Sequence, residues 1–260
     1  MRFEGKIVIV TGSGKGIGRG IALEFAAEGA IVIIATLGRE EGLDTESYIR
    51  YHGGKAMFIQ TDVGSEDSIR SMVEKVIQVY GQIDVLVNNA GITQFKPMLE
   101  ATVEDWDKVI NIDLRGVFLC SKHTATYMVK QNKGAIVNIS SNHALSTLPD
   151  TEIYAAAKAG VNGMTRSMAL SLGKSGIRVN AICPGFTDTP HYRSWLQKDG
   201  NAAEVEQEVH FMHAGHRIST PQDIGKLALF LASDDAEMIT GTEMLIDGGM
   251  SAKLYNSVLC

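Results

Sequence analysis

Two hydroxyl-bearing side chains and an ammonium are spaced for proton transfer. Ser140 and Ser141 follow the apolar run Ile136 to Ile139, and Tyr154 and Lys158 stand four residues apart in the Ala-rich stretch that comes next. On a helix that spacing puts Tyr154 and Lys158 on one face. A free phenol titrates at about 10 and is a poor acid or base at neutral pH. A neighbouring ammonium favours the phenolate and lowers that value. A Ser hydroxyl at a strand end can hold a substrate oxygen while the phenol exchanges a proton with it. A carbonyl needs that equipment while it receives a hydride. Alone, a Tyr and a Lys four apart are a common helix-surface pair. The Ala spacer and the Ser at a strand end make the pattern more specific.

A second constellation is Thr11-Gly12-Ser13-Gly14-Lys15-Gly16-Ile17-Gly18, between an apolar run and a helical stretch. A strand, a Gly-rich turn and a helix N-terminus form an anion site, with backbone N–H groups pointing outward and Gly admitting a pyrophosphate to contact distance. The spacing is G-x-x-x-G-x-G rather than G-x-G-x-x-G, and no Walker-type Gly-Lys-Ser/Thr ending is present. Glycine also builds ordinary turns. Position in the first crossover favours dinucleotide binding. An acidic residue at the end of the second strand would hold the ribose 2′-OH of NAD. Here that strand runs out as Ile34-Ala35-Thr36-Leu37-Gly38-Arg39, without a carboxylate. Lys15 and Arg39 suit a 2′-phosphate, which favours NADP(H), with NAD(H) as the alternative. Glu40 and Glu41 blunt that potential, and Arg39 could instead begin the solvated face of a helix.

These residues need a frame. Strand-like runs at Lys6–Thr11, Ala30–Ala35, Lys55–Gln60, Ile83–Val87, Gly134–Ser140, Arg178–Cys183 and Glu243–Ile246 alternate with helical stretches. The latter include Ile17–Glu28, Glu66–Tyr80, Thr102–Lys130, Ile153–Leu172 and Pro221–Ala232, the last with Thr220 as N-cap and Pro221 at its first position. Strands apolar on both faces and separated by helices imply a parallel, doubly wound α/β sheet. The 260 residues are expected to form a single domain, 1–260, with an insert at about 190–219. That insert follows a strand's carboxyl end, where ligands bind, so it is read as a substrate lid rather than a surface excursion. A net charge of −6 argues against a basic nucleic-acid-binding surface. No apolar run reaches transmembrane length and no secretory leader is visible, and three Cys fit a reducing compartment. The expected setting is cytoplasmic, with no membrane and no nucleic-acid partner.

The chain resembles the short-chain dehydrogenase/reductase family over nearly its whole length. The matching residues come in the family's order: Thr11-Gly12…Gly16-Ile17-Gly18, Asp62-Val63, Asn88-Asn89-Ala90-Gly91, Ser141, Tyr154 with Lys158, and Pro184-Gly185. The resemblance implies a Rossmann-type sheet of seven parallel strands with three helices on each face. It implies that Ser141 orients the substrate, with Ser140 a structural neighbour, and that Tyr154 is the acid/base. Lys158 would lower the Tyr154 pKa and bind the nicotinamide ribose. Asp62 and Val63 would contact the adenine, Asn89, Ala90 and Gly91 would wall the cofactor, and Pro184, Gly185, Thr187 and Thr189 would hold its carboxamide and diphosphate. Ser13 belongs to the same Gly loop. One departure stands out. The family's fourth catalytic residue is an Asn seven positions after a Trp, and from Trp106 that position is Asp113. Asn111 lies two residues off register and would face elsewhere. Asp113 could preserve the relay through its backbone carbonyl, or pair with Lys158 and shift the pH optimum.

The expected function is hydride transfer between NADP(H) and a small carbonyl or secondary alcohol. Polyols and sugars are favoured, because Asn142 and His143 follow Ser141 directly. His143 could equally cap a loop. Gln94, Phe95 and Asp150 are weaker contacts; His191, Tyr192 and Trp195 could touch substrate from the lid or form its core. A 3-oxoacyl thioester or hydroxysteroid reductase using NAD(H), a non-catalytic nucleotide-binding module and a dehydratase or dehalogenase are the rivals. Retention of Lys158 speaks against the last. His210, His213 and His216 are spaced for one helix face, but Gly215 should end that helix, and no metal site is expected. Cys260 carries no mark of reactivity. The resemblance also implies a homotetramer or homodimer that meets through Thr102–Lys130 and Ile153–Leu172, with Met250–Cys260 near an interface or the site mouth.

Overall fold

A computed structural model describes residues 1–197 and 201–253. Among these residues there are seven strands: β1 (Ile7–Thr11), β2 (Ile31–Thr36), β3 (Lys55–Gln60), β4 (Val85–Asn88), β5 (Gly134–Ile139), β6 (Ile177–Pro184) and β7 (Glu243–Ile246). They form one sheet in the order β3-β2-β1-β4-β5-β6-β7, with every pairing parallel. The order reverses between β1 and β4, which places a ligand crevice at the carboxyl edge there.

Both faces are covered. Val8, Val10, Val32 and Val87 pack beneath Ile21 and Phe25 of α1 (Gly16–Ala27), Ile49 of α2 (Arg39–Tyr51) and Ile224 and Leu229 of the late helix Pro221–Ala232. Ile7, Ile9, Ile33 and Leu86 pack beneath Ile69, Met72 and Val76 of α3 (Glu66–Tyr80) and Leu119 and Met128 of the long central helix. Alternating side chains of one strand thus enter two cores, which is why the strands read as continuous apolar runs.

The central helix departs from expectation. It is three pieces: α4 (Val103–Ile110), a π-helical turn (Asn111–Arg115) and α5 (Gly116–Gln131). Tertiary contacts accompany this turn. Asp113 is drawn inward onto the backbone N–H of Ile92, and Gly116 lies against Val63, where a Cβ would come 2.8 Å from the carbonyl oxygen. The next helix, α6 (Glu152–Gly173), spans the expected stretch.

The 190–219 segment holds α7 (Pro190–Leu196) and α8 (Ala202–Met212) and has its own core of Tyr192, Leu196, Val209 and Ile218. Helix α8 stops at Met212, earlier than the Gly215 end expected from sequence. Buried His213 caps it with extended backbone, so the three His do not share a helix. Arg193 pins α7 to its surroundings through Asp188 at 2.6 Å and Glu206 at 2.6 Å. Helix α9 (Pro221–Ala232) follows.

Candidate active site

Strand β5 delivers Ser140 and Ser141 to the carboxyl edge. The Ser140 hydroxyl donates to the Lys158 carbonyl at 3.1 Å and so ties the strand end to α6. The Ser141 side chain caps the short turn Asn142–Ala144, accepting the His143 N–H at 3.1 Å. The same α6 turn brings Tyr154 and Lys158 together, with the Lys158 ammonium 5.5 Å from the centre of the Tyr154 ring. Lys158 is buried, and its Nζ donates to the Ile139 carbonyl at 3.2 Å and lies 3.1 Å from Asp113 Oδ2. Burial pushes the Lys158 ammonium down, but the Asp113 carboxylate and the Tyr154 oxygen outweigh it and hold the group above its ordinary value. Asp113 is fully buried; its Oδ1 accepts the Ile92 N–H at 2.8 Å, while the contact of Oδ2 to Lys158 is ionic rather than a directed hydrogen bond. Asn111 faces away, donating to the Gly64 carbonyl at 3.1 Å.

The glycine loop lies beside this cluster. Lys15 precedes α1 with extended backbone and makes no side-chain cap, which leaves the first N–H groups of the helix to a ligand. Gly16 has φ +57° and faces Thr189 across the crevice, where a Cβ would meet the Thr189 methyl at 3.5 Å. A Cβ at Gly18 would come 2.4 Å from both the Gly12 oxygen and Asn89 Nδ2. Asn89 is fixed by donating to the Thr11 and Gly12 carbonyls at 3.0 and 3.2 Å, and the Thr11 hydroxyl accepts the Asn89 and Ala90 N–H groups. The Ser13 hydroxyl is spent inside the loop on the Val10 carbonyl at 2.7 Å. Gly91 backs onto the charged pair: a Cβ there would lie 2.8 Å from Asp113 Oδ2. After β6, Gly185 donates its N–H to the Ile246 carbonyl, Thr187 bridges to Ser219, and Thr189 caps α7.

A family model described as enoyl-(acyl carrier protein) reductase matches residues 12–251. A 3-oxoacyl-[acyl-carrier-protein] reductase of Thermotoga maritima is 41% identical over 96% of this chain and 99% of its own length. A meso-2,3-butanediol dehydrogenase of Serratia marcescens is 36% identical over 97% of each chain. The chain belongs to the short-chain dehydrogenase/reductase family. Among solved structures, that of levodione reductase superposes with a TM-score of 0.93 at 34% identity, covering 98% of this chain and all of that one.

Members of the family use NAD(P)(H), and the residues present here fit such a cofactor. Helix α1 begins without a side-chain cap, and Gly16 brings the loop close to Thr189 of the turn after β6. Asp62 is exposed, with Oδ1 holding the Gly64 N–H at 2.8 Å, whereas the Val63 side chain is buried under α5. At the far end, β2 closes on Thr36, and Arg39 is exposed at the first residue of α2. Lys15 is also exposed, but its ammonium lies 3.9 Å from Glu41, whose carboxylate folds back over Gly38.

On the substrate side, the His143 ring meets the Tyr154 ring edge to face, with centroids 5.6 Å apart. Asn142 is buried and accepts from the Ser141 hydroxyl at 3.3 Å. Tyr192 is buried and Trp195 half-buried, and both rings lie within 6 Å of Phe186 in the 190–219 segment's own core. His191, Phe95 and Asp150 are exposed, and Gln94 is held on Asp105 at 2.6 Å. The sequence reading missed Thr147 and Thr151, which bond in series from His143; two Thr four apart carry no signal until the loop path is known. Among the described residues, no cluster of three or more His, Cys, Asp or Glu is placed to hold a metal, and no helix is long and apolar enough to cross a membrane. Burial pushes the Cys120 thiol up to about 12 and raises that of Cys183, whereas Cys260 lies outside the described residues.

Proposed function

We propose that this chain interconverts a small ketone or aldehyde with its alcohol, and that it prefers NADP(H). The observation that carries the reading is the buried Lys158 ammonium beside Tyr154 at the end of β5, with Ser141 on the adjoining turn. Ser141 holds the carbonyl oxygen. Tyr154 gives that oxygen its proton on reduction and takes it back on oxidation, and Lys158 stabilises the negative charge left on the phenol. Asp113 balances Lys158 so that a buried ammonium persists. The nicotinamide supplies or accepts the hydride when bound. The glycine loop with Asn89–Gly91 on one side, and Pro184, Gly185, Thr187 and Thr189 on the other, would hold it. Lys15 and Arg39 favour the 2′-phosphate.

The test pairs turnover with binding. Tyr154→Phe should lower kcat at least a hundredfold while NADPH still raises the melting temperature by mass action. A binding module would lose nothing, and a dehydratase or dehalogenase would turn over without change in nicotinamide absorbance. Polyols and hydroxy ketones are the favoured substrates, because His143 stands beside Tyr154. A second reading, a 3-oxoacyl thioester, draws on exposed Phe95, Leu145 and Leu148 in the segments that follow β4 and β5; an acyl thioester tested beside a polyol panel separates them. We place the enzyme in the cytoplasm as a homotetramer or homodimer with no nucleic-acid or membrane partner. The 190–219 segment acts as its lid, with Tyr192 and Trp195 packed in that segment's own core rather than offered to substrate.

A further inference from the structure

His143 begins a chain of hydrogen bonds whose directions are all determined. Its Nδ1 lies 2.9 Å from Thr147 Oγ1, Thr147 Oγ1 lies 2.9 Å from Thr151 Oγ1, and Thr151 Oγ1 lies 2.6 Å from the Leu148 carbonyl oxygen. A carbonyl only accepts, and a hydroxyl has one hydrogen to give. The Thr151 hydrogen is therefore committed to Leu148. Thr151 Oγ1 must then accept from Thr147, which commits the Thr147 hydrogen. Thr147 Oγ1 can only accept from His143, so Nδ1 carries the proton.

Two further observations agree. Thr151 is the N-cap residue of α6, yet its side chain makes no cap bond, so an oxygen suited to capping serves the chain instead. Burial pushes the His143 imidazolium below its ordinary value, so the ring is neutral at neutral pH. A neutral imidazole protonated at Nδ1 presents a bare Nε2. Among the described residues nothing donates to that atom. The backbone beside it is pinned by Ser141, and the ring rests against Tyr154.

We propose that Nε2 of His143, held as an acceptor by the Thr147–Thr151–Leu148 chain, receives a hydrogen bond from a substrate hydroxyl next to the reacting carbon. The site thereby selects α-hydroxy ketones and vicinal diols over their deoxy counterparts. A hydroxyl at that position finds a ready acceptor. An analogue without it strands a half-buried lone pair and forfeits about 10- to 100-fold in kcat/KM. Thr147 and Thr151 are positioning residues, which act only through the ring. The inference rests on the oxidoreductase reading for its substrate and stands apart from it for the tautomer.

Two measurements test it on the intact protein. Long-range 15N–1H NMR correlation at pH 8 reads the His143 tautomer directly, and a protonated Nδ1 with a bare Nε2 is expected. A protonated Nε2 overturns the proposal whatever the enzyme reduces. Steady-state kinetics then compare 3-hydroxybutan-2-one with butan-2-one, and 2-hydroxycyclohexanone with cyclohexanone. The hydroxy ketone of each pair should lead by at least tenfold in kcat/KM. Thr147→Val should cut that ratio about tenfold through KM, whereas a merely structural defect lowers both ketones alike. His143→Gln, which keeps an acceptor, should retain more of the ratio than His143→Leu. Equal kcat/KM within both pairs overturns the substrate class while leaving the oxidoreductase reading in place. Reduction of none of the four ketones by NADH or NADPH removes both, with the NMR result still reporting on the chain.

Discussion

Asp113 and Lys158 meet where neither touches water, and that sets what each substitution does. Asp113→Leu strands the Ile92 N–H and an ammonium together and should cost about 3–5 kcal/mol in urea unfolding. Asp113→Asn keeps an acceptor for Ile92 and removes only the charge, so it should cost less. The pH dependence has a definite sign. The Lys158 value is raised on folding, so the stability from this pair is complete below the unfolded value of about 10.5 and is lost as pH rises through the folded one. The gap between wild type and Asp113→Asn should therefore narrow above about pH 10.5; a gap that widens there sinks the pairing. At the other end of the crevice, Glu41 competes for Lys15. Glu41→Gln should raise NADPH affinity several-fold and leave NADH nearly untouched, as read by melting shifts with each nucleotide. Equal shifts would take the 2′-phosphate out of the Lys15 environment. Much of this was legible at residue level, because Ser141, Tyr154 and Lys158 are fixed by short spacings on one strand end and one helix. The Asp113 pairing was legible as one of two options. The loop hydroxyls behind His143 were not, since a hydrogen-bond direction depends on where a carbonyl happens to turn.

Elements were readable in proportion to how local their causes are. The sheet strands declare themselves by two-faced burial, and α9 by its start: Thr220 and Asp223 form a reciprocal capping box, Pro221 sits in its first turn, and Arg217 reaches Asp223 at 2.9 Å. The π turn at 111–115 is different. Its contacts come from Ile92, Lys158 and Val63, all distant in sequence, so the apolar period across 102–130 runs on without a break. Such turns gather at functional sites, and this one carries the buried carboxylate. Helices α7 and α8 were hidden for a related reason: each is short and covers only a small core of its own. For α9, Thr220→Ala should cost about 1 kcal/mol. Because α9 packs on α1, with Pro221 against Gly20, the loss should also weaken nucleotide binding. The Arg217 guanidinium, with the Thr220 bonds, holds the Asp223 carboxyl at about 2 against a burial effect of opposite sign. A depressed carboxylate stabilises the fold above its unfolded value of about 3.9 and loses that contribution as pH falls toward 2. Acid melts of wild type and Asp223→Asn should converge over that interval; a constant offset to pH 2 would remove the charge from the cap.

At the scale of the whole molecule, what the single chain leaves uncovered bears on how copies assemble. Val103, Trp106, Phe118 and Val129 are exposed along α4 and α5, Leu170 along α6, and Leu245 on β7, which among the described residues ends the sheet with one side unpaired. Two separate apolar surfaces on one chain suit two different two-fold axes, and two such axes generate a tetramer. A stable contact needs about 800 Å² from each partner, which a pair of packed helices can supply and a four-residue strand alone cannot. The α4–α5–α6 face should therefore be the stronger contact and the β7 edge the weaker. Sedimentation equilibrium on the 28.1 kDa chain should give a tetramer that passes to dimer on dilution. Leu245→Asp should stop assembly at the dimer held by the helices. Phe118→Asp, which buries a charge in the larger contact, should yield mostly monomer and lower the melting temperature as well. A wild-type monomer at micromolar concentration would sink the assembly. A Phe118→Asp protein that stays tetrameric would move the main contact off the long helices.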